Sequence, residues 1–575
     1  MADRAGAGPS MSASQGSTAQ GTVHMSKDDL PDGSTTGSLR DRMAQAIRKV
    51  EDVEAAYEPS TVARLITSQA RKLGSKIAVD VFERGERASY EEMDKWSNRY
   101  ANALKALGVR KGDRIGVMLP NRIEFPLLWF AFAKLGAVLV PLNMRYTPRE
   151  IEFVLNDTQA TFAVVDDSAW TAFSAAEPWP EGLARERVFV VGRSPDPAVK
   201  TLASVLEGAS DAPPREEVGL QDLLNIQYTS GTTGFPKGCM LTQEYWDVTT
   251  YQHATVRDLR PYDRQLSWAP FFYSYGPTVL LKCWREGGTL FMAQQLSASR
   301  MADWLKTYRI EWCSMTEFVA RQVKAGDGPA LKQVGQYDGW AADTVRHLRE
   351  QLGVRSRESY GMTEVGYATL PTDIEEMDES GYVGIRAPLR ELRIVNDDGT
   401  PTAVGEMGEM WVRGRGVLKG YWNRPEANAE LFEDGWFKTG DLVRRDELGA
   451  YWLVGRKKDM IRRSSENIAA LEVEAVIRRV PGVDDVAAVP VKDAKRGEEV
   501  KVCVELKPGV EPGDELVQSI LERARQHLAP FKVPRYVAFI AKLPRTSSNK
   551  VTKRHLTEVA DPLADTYDAV EKRWR

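Results

Sequence analysis

From Tyr90 to about Ser359 the 575-residue chain alternates short apolar strands with helical segments, and that alternation restricts it to an α/β architecture. The pattern predicts a strand over 113–119, a helix after Asn121, a strand over 137–142, then a further helix and a strand over 160–165. The second of these helices has a marked start. Thr147, Pro148 and Glu150 form a capping box with proline at the first helical position, satisfying orphan amides where the apolar period begins. No internal repeat is found, so the expectation is a system of doubly wound sheets and not a solenoid.

The chain changes character after Gly455-Arg456-Lys457-Lys458-Asp459. Val500, Val502, Val504 and Leu506 alternate with Lys501, Cys503, Glu505 and Lys507, which predicts a strand with one buried and one wet face. Leu516, Ile520, Ala524 and Leu528 form an apolar stripe on a helix over 514–529 that covers it. The expected organisation is a disordered leader over 1–37, rich in Ala, Gly, Ser and Thr; a large α/β unit over 38–457; and a small, mobile α+β unit over 458–575.

Within the large unit lies Tyr228 to Gly238, YTSGTTGFPKG, entered from the apolar LLNIQ. Gly231 and Gly234 let backbone fold close to a polyphosphate, Thr229, Ser230, Thr232 and Thr233 offer hydroxyls, and Lys237 adds a positive charge. The Walker pattern fails, because Pro236 precedes Lys237 and Gly238 follows it. Composition narrows the partners. A net charge of −4 with 27% charged residues has no basic excess for nucleic acid or anionic lipid. The four cysteines form no C-x-x-C pair, which argues against a zinc cluster or a disulfide framework and favours a reducing, cytoplasmic setting. The apolar run over 125–142 is broken by Lys134 and Gly136, so it reads as a buried helix passing into a buried strand and not as a membrane span.

Five ordered blocks stand in the chain: YTSGTTGFPKG; Ser359-Tyr360-Gly361-Met362-Thr363-Glu364; Thr439-Gly440-Asp441; GRKKDMIRRSSENI from Gly455; and Pro544-Arg545-Thr546-Ser547-Ser548-Asn549-Lys550. Together they resemble the adenylate-forming superfamily of acyl-CoA synthetases, peptide-synthetase adenylation domains and beetle luciferases, over about residues 60–560. The resemblance implies ATP- and Mg2+-dependent conversion of a carboxylic acid to an acyl-adenylate, followed by transfer to coenzyme A. Two anions must meet in that first step, so cations and oriented donors are required. By the same resemblance the loop and Lys237 hold the β- and γ-phosphates. Tyr360, Gly361 and Met362 lie beside adenine together with Gly339, Trp340 and Ala341, and Thr363 reaches the α-phosphate. Glu364 supplies the oxygen ligand that a hard cation demands. Asp441 and Arg456 contact the ribose, Lys550 bridges the carboxylate and the nucleotide, Lys458 is the hinge about which the small unit rotates, and Arg462 adds a phosphate contact.

Departures from the family pattern bear on the substrate and the acceptor. Ser465 stands for a glycine on the strand lining the pantetheine tunnel; where that position needs positive φ or close approach, serine costs about 1 kcal/mol or narrows the tunnel. The acceptor is therefore coenzyme A or, acting in trans, the thiol of a carrier protein. Asn549 replaces a glycine before Lys550, and Tyr273 stands where a histidine or another aromatic gates the acyl pocket. Trp340 replaces a small side chain, and an indole of about 200 Å² would fill much of the cavity unless it points into another core. A short, branched or compact acid is expected, whose ring or cation could stack on Trp340 or Tyr273. Trp268, Trp304 and Trp312 read as core. A homodimer is compatible with the sequence, and a nucleotide-binding regulator without turnover is the competing reading.

Overall fold

The computed structural model describes residues 37–229, 236–255, 262–337, 339–464, 466–545 and 551–575. The leader expected over 1–37 falls outside them apart from Gly37, and so do Ser465 and Asn549.

Two sheets form the centre of the large unit. Strands such as Val138–Pro141 and Val188–Val191 carry no polar side chain and are buried throughout, as strands of a two-sided sheet must be. One sheet runs in the order Val188–Val191, Phe162–Asp166, Arg114–Met118, Val138–Pro141, Leu223–Thr229, Lys237–Thr242, with only the last pair antiparallel. The other runs Arg355–Arg357, Gln333–Tyr337, Trp312–Thr316, Arg264–Ser267, Thr289–Met292, Ile77–Val81, with Glu86–Ser89 as an antiparallel edge. The helix Glu124–Leu135 is apolar all round and buried from Phe125 to Leu135. Lys134, which interrupts that run, is itself buried and donates to Asp94, Ser97 and Asn98. Thr147 and Glu150 make the capping box read from the sequence. Trp268, Trp304 and Trp312 are all core residues. No helix among the described residues is long and apolar enough to cross a membrane.

A third, antiparallel sheet follows, with Arg390–Val395, Met407–Gly414 and Trp436–Arg445 side by side and Tyr451–Arg456 paired to the last. The helix Leu39–Ala55 braces this region. Its Met43 and Val50 join a small core with Ile374, Met377, Tyr382, Ile385 and Ala450, and Glu54 pairs with Arg386 at 2.5 Å.

The C-terminal part has its own sheet and core, built on Met460–Arg463, Val483–Asp493, Gly497–Leu506 and Tyr536–Ile540. One expectation fails here. The strand Gly497–Leu506 is buried on both faces, because its supposedly wet side chains find partners in the fold: Lys501 Nζ donates to the Pro562 carbonyl at 2.6 Å, and Glu505 accepts from the Leu543 amide at 2.9 Å. The covering helix, Asp514–His527, buries Val517, Ile520, Leu521 and Ala524; of the expected stripe, Ile520, Ala524 and Leu528 are core residues and Leu516 packs partly buried against them, with Val517 and Leu521 widening it.

Candidate active site

The loop YTSGTTGFPKG closes an antiparallel hairpin in which Thr229 lies opposite Lys237. Strand-forming LLNIQYT enters it and KGCMLT leaves it. Ser230, Gly231, Thr232, Thr233 and Gly234 lie outside the described residues. Lys237 does not. Its ammonium sits 5.2 Å from the centre of the Tyr421 ring and lines a cleft of about 2860 Å³ between the large and the C-terminal parts. A pocket for one drug-sized ligand measures roughly 300–1,000 Å³, so this cleft has room for more than one reactant.

The second block enters the same cleft. Gly361 pairs with Tyr367, and a Cβ on Gly361 would lie 2.3 Å from the Gly366 carbonyl oxygen, so only glycine fits that close approach. Thr363 Oγ1 lies 3.3 Å from Ser274 Oγ. Glu364 is 6% exposed and accepts from the Tyr421 hydroxyl at 2.7 Å. Burial pushes its carboxyl above the usual carboxylate range, with the Tyr421 hydrogen bond pulling the other way. The Tyr360 hydroxyl donates to Asp441 Oδ2 at 2.6 Å, and burial followed by the Asp441 charge raises its pKa.

Asp441 and Arg456 face each other across paired strands, with Arg456 Nε 2.9 Å from Asp441 Oδ1. Strand pairing therefore fixes a carboxylate and a guanidinium side by side at the cleft wall. Lys457, next in sequence, is tied to Asp397 and Glu409 at 3.0 and 3.1 Å. Lys458 lines the cleft, and its pKa is lowered by burial and then by the Arg456 charge. Arg462 is exposed and does not itself line the cleft, although its backbone amide donates at 2.6 Å to Oε2 of Glu498, which does. Lys550 lies outside the described residues. The segment leading up to it and the one following meet in a bridge between Arg545 and Val551, and Lys553 pairs with the buried Glu474 at 2.6 Å.

On the opposite side, Gly339 has φ +65°, where a Cβ would also lie 2.8 Å from Glu358 Oε1. Trp340 takes both positions weighed for it. It belongs to a buried core that also contains Val345 and Leu348, and its remaining surface forms part of the cleft wall. The Ala341 amide donates to Glu317 at 3.1 Å. Tyr273 lines the cleft, held by a hydrogen bond from Asn143 at 2.9 Å. Sequence reasoning passed over Tyr421, Ser274, Glu474 and Lys553; the aromatic pair in Gly420-Tyr421-Trp422 was the available signal for the first.

The "AMP-binding enzyme" family model matches residues 66–422, and the "AMP-binding enzyme C-terminal domain" model matches 472–550. The long-chain-fatty-acid–CoA ligase FadD13 of Mycobacterium tuberculosis is 31% identical over 82% of this chain and 93% of its own length. A feruloyl-CoA synthase of Amycolatopsis sp. is 32% identical with the same two coverages. Among solved structures, ATP-bound MatB from Rhodopseudomonas palustris superposes with a TM-score of 0.77 at 28% identity, covering 86% of this chain and 98% of that one.

Proposed function

Because this chain belongs to the AMP-binding enzyme family and is an AMP-forming acid–thiol ligase, we propose that it activates a compact carboxylic acid with ATP and passes the acyl group to coenzyme A. The observation that carries this reading is the convergence on one cleft of Lys237, Thr363, Glu364 and the Tyr360–Asp441–Arg456 network.

The carboxylate oxygen of the acid attacks the α-phosphorus of ATP, pyrophosphate leaves, and a thiol then displaces AMP from the acyl carbon. Lys237, with the loop that precedes it, neutralises the leaving pyrophosphate, and Thr363 donates to the α-phosphate. Asp441 accepts from the ribose hydroxyls, with Arg456 beside it, and Tyr360 packs along adenine next to Gly339 and Ala341. Lys550 bridges the two anions in the first step, and Lys458 is the hinge that exchanges it for the thiol in the second. A single buried carboxylate fits magnesium, which takes one or two carboxylates and fills its remaining sites with phosphate oxygens and water. Glu364 would hold that ion, which when bound spreads the charge of the phosphates. Tyr273 and Trp340 border the acyl side, and the anchoring of Trp340 in its core makes it a poor candidate for swinging away to admit a long chain.

Purified protein mixed with ATP, Mg2+ and short, branched, aromatic and long-chain acids tests the reading through pyrophosphate release, with and without coenzyme A. Turnover that requires coenzyme A and favours compact acids is expected. Adenylate that accumulates and ignores coenzyme A would point to a carrier-protein thiol, and no release with any acid would leave a nucleotide binder. Lys550→Ala should lose adenylation, by about 3 kcal/mol or more, yet still turn over supplied acyl-adenylate.

A further inference from the structure

Lys237 and Glu364 line one cleft with opposite charges, yet Lys237 pairs with no carboxylate among the described residues. Two such groups, left to themselves in a partly buried site, would pair and cancel. What stands against both of them is Tyr421. Its ring faces the Lys237 ammonium and its hydroxyl donates to Glu364 Oε1.

The residue is unusually well fixed for a side chain in a connecting segment. Its backbone forms an antiparallel bridge with Cys239, two residues after Lys237. On either side of that bridge the Met240 amide donates to the Gly420 carbonyl at 3.0 Å and the Trp422 amide to the Gly238 carbonyl at 2.8 Å. The Asn428 side chain closes on the Tyr421 amide and carbonyl together, at 2.7 and 2.9 Å. The same segment reaches the other block, because the Leu418 amide donates to the Glu364 carbonyl at 2.8 Å. One short stretch is thus stitched to the exit strand of the phosphate loop and to the backbone of the acidic residue.

We propose that Tyr421 is a positioning residue that keeps Lys237 and Glu364 apart and individually satisfied, so that the cation remains free for polyphosphate and the carboxylate for a divalent metal ion. The inference rests on the reading of Lys237 and Glu364 given above. A neutral partner serves where an ionic one would not: a phenol gives the carboxylate one hydrogen bond and the ammonium a π face without removing either charge.

Two variants separate the two contacts. Tyr421→Phe keeps the ring for Lys237 and deletes the hydroxyl; Tyr421→Leu deletes both. Binding of Mn2+ to the enzyme with a non-hydrolysable ATP analogue, followed by electron paramagnetic resonance, should weaken about tenfold in Tyr421→Phe. The Mg2+ needed for half-maximal pyrophosphate release should rise by a similar factor, while the KM for ATP at saturating Mg2+ stays within twofold. In Tyr421→Leu the analogue itself should bind about tenfold more weakly, as Lys237 is released toward Glu364. Adding Glu364→Gln to that variant should restore analogue affinity toward that of Tyr421→Phe, although it cannot restore turnover. Wild-type Mn2+ affinity in Tyr421→Phe, or equal losses of metal and analogue in both single variants with normal melting, overturns the inference. Failure of the wild-type protein to bind Mn2+ with the analogue would instead overturn the reading of the site on which it rests.

Discussion

Two buried carboxylates line the same cleft from opposite parts of the molecule, and they are satisfied in opposite ways. Glu364 of the large unit, 6% exposed, is held by the neutral Tyr421 hydroxyl; Glu474 of the C-terminal part, 5% exposed, is held by the Lys553 ammonium and the Ala488 amide. Burial pushes both carboxyls above the usual range, opposed for Glu364 by a hydrogen bond and for Glu474 by the Lys553 charge. A carboxylate already neutralised by an ammonium contributes to local structure and has little left to offer a ligand. Glu364, hydrogen-bonded by a phenol and in no ion pair among the described residues, keeps its net charge, at a cost to folding that a bound cation would relieve. The contrast sets an acid already answered by a cation beside the one we propose as the metal ligand.

The sharpest way to break the contrast is Glu364→Gln. The amide oxygen still accepts from Tyr421, so the melting midpoint should hold or rise once the buried charge is gone. Pyrophosphate release should fall at least a hundredfold, about 3 kcal/mol, because a transition-state charge loses its support. A less than tenfold loss with saturating Mg2+ would place Glu364 with the structural acids.

Lys553→Met should do the reverse, lowering stability while leaving the chemistry of the large unit alone. Removing one partner of a buried pair costs 3–5 kcal/mol; the 20% exposure of the Lys553 side chain reduces the expectation to about 2 kcal/mol. The sign with pH follows from the raised Glu474 carboxyl. A group that binds its proton more tightly when folded is penalised as pH rises through its folded value, and losing Lys553 enlarges that penalty. The deficit in urea midpoint should therefore be large at pH 8 and shrink toward pH 5. An equal deficit at both would mean that lost packing, and not an unpaired charge, is responsible.

What could be read from the sequence was local. The Thr147–Glu150 cap and the buried helix-then-strand over 125–142 follow from contacts within a few residues, and both stand in the structure. The strand Gly497–Leu506 was misread because alternation reports chemical type and not surroundings. The partners of Lys501 and Glu505 come from 61 and 38 residues away. The same limit applies to the site. Tyr360, Thr363, Glu364, Asp441 and Arg456 stood out through short blocks, whereas Tyr421 meets Glu364 across 57 residues. The placement of Trp340 depended on a core that gathers strands and helices from residue 266 to residue 354, which no short stretch around it could reveal.

Asp441, 4% exposed, falls between the two carboxylates, since it accepts from a neutral phenol through one oxygen and faces a guanidinium with the other. Its behaviour should be intermediate as well. Part of its charge is already answered by Arg456, but that side chain is 47% exposed, so the pairing is screened and leaves the carboxylate able to accept from a ligand. Asp441→Asn presents one acceptor oxygen where there were two, so it cannot serve Tyr360 and a ribose hydroxyl together. The expected result is a KM for ATP raised about tenfold, on the order of 1.4 kcal/mol, with kcat changed much less and little change in melting. A change in kcat with KM untouched would instead mark Asp441 as a group felt only in the transition state, and would move it to the side of Glu364.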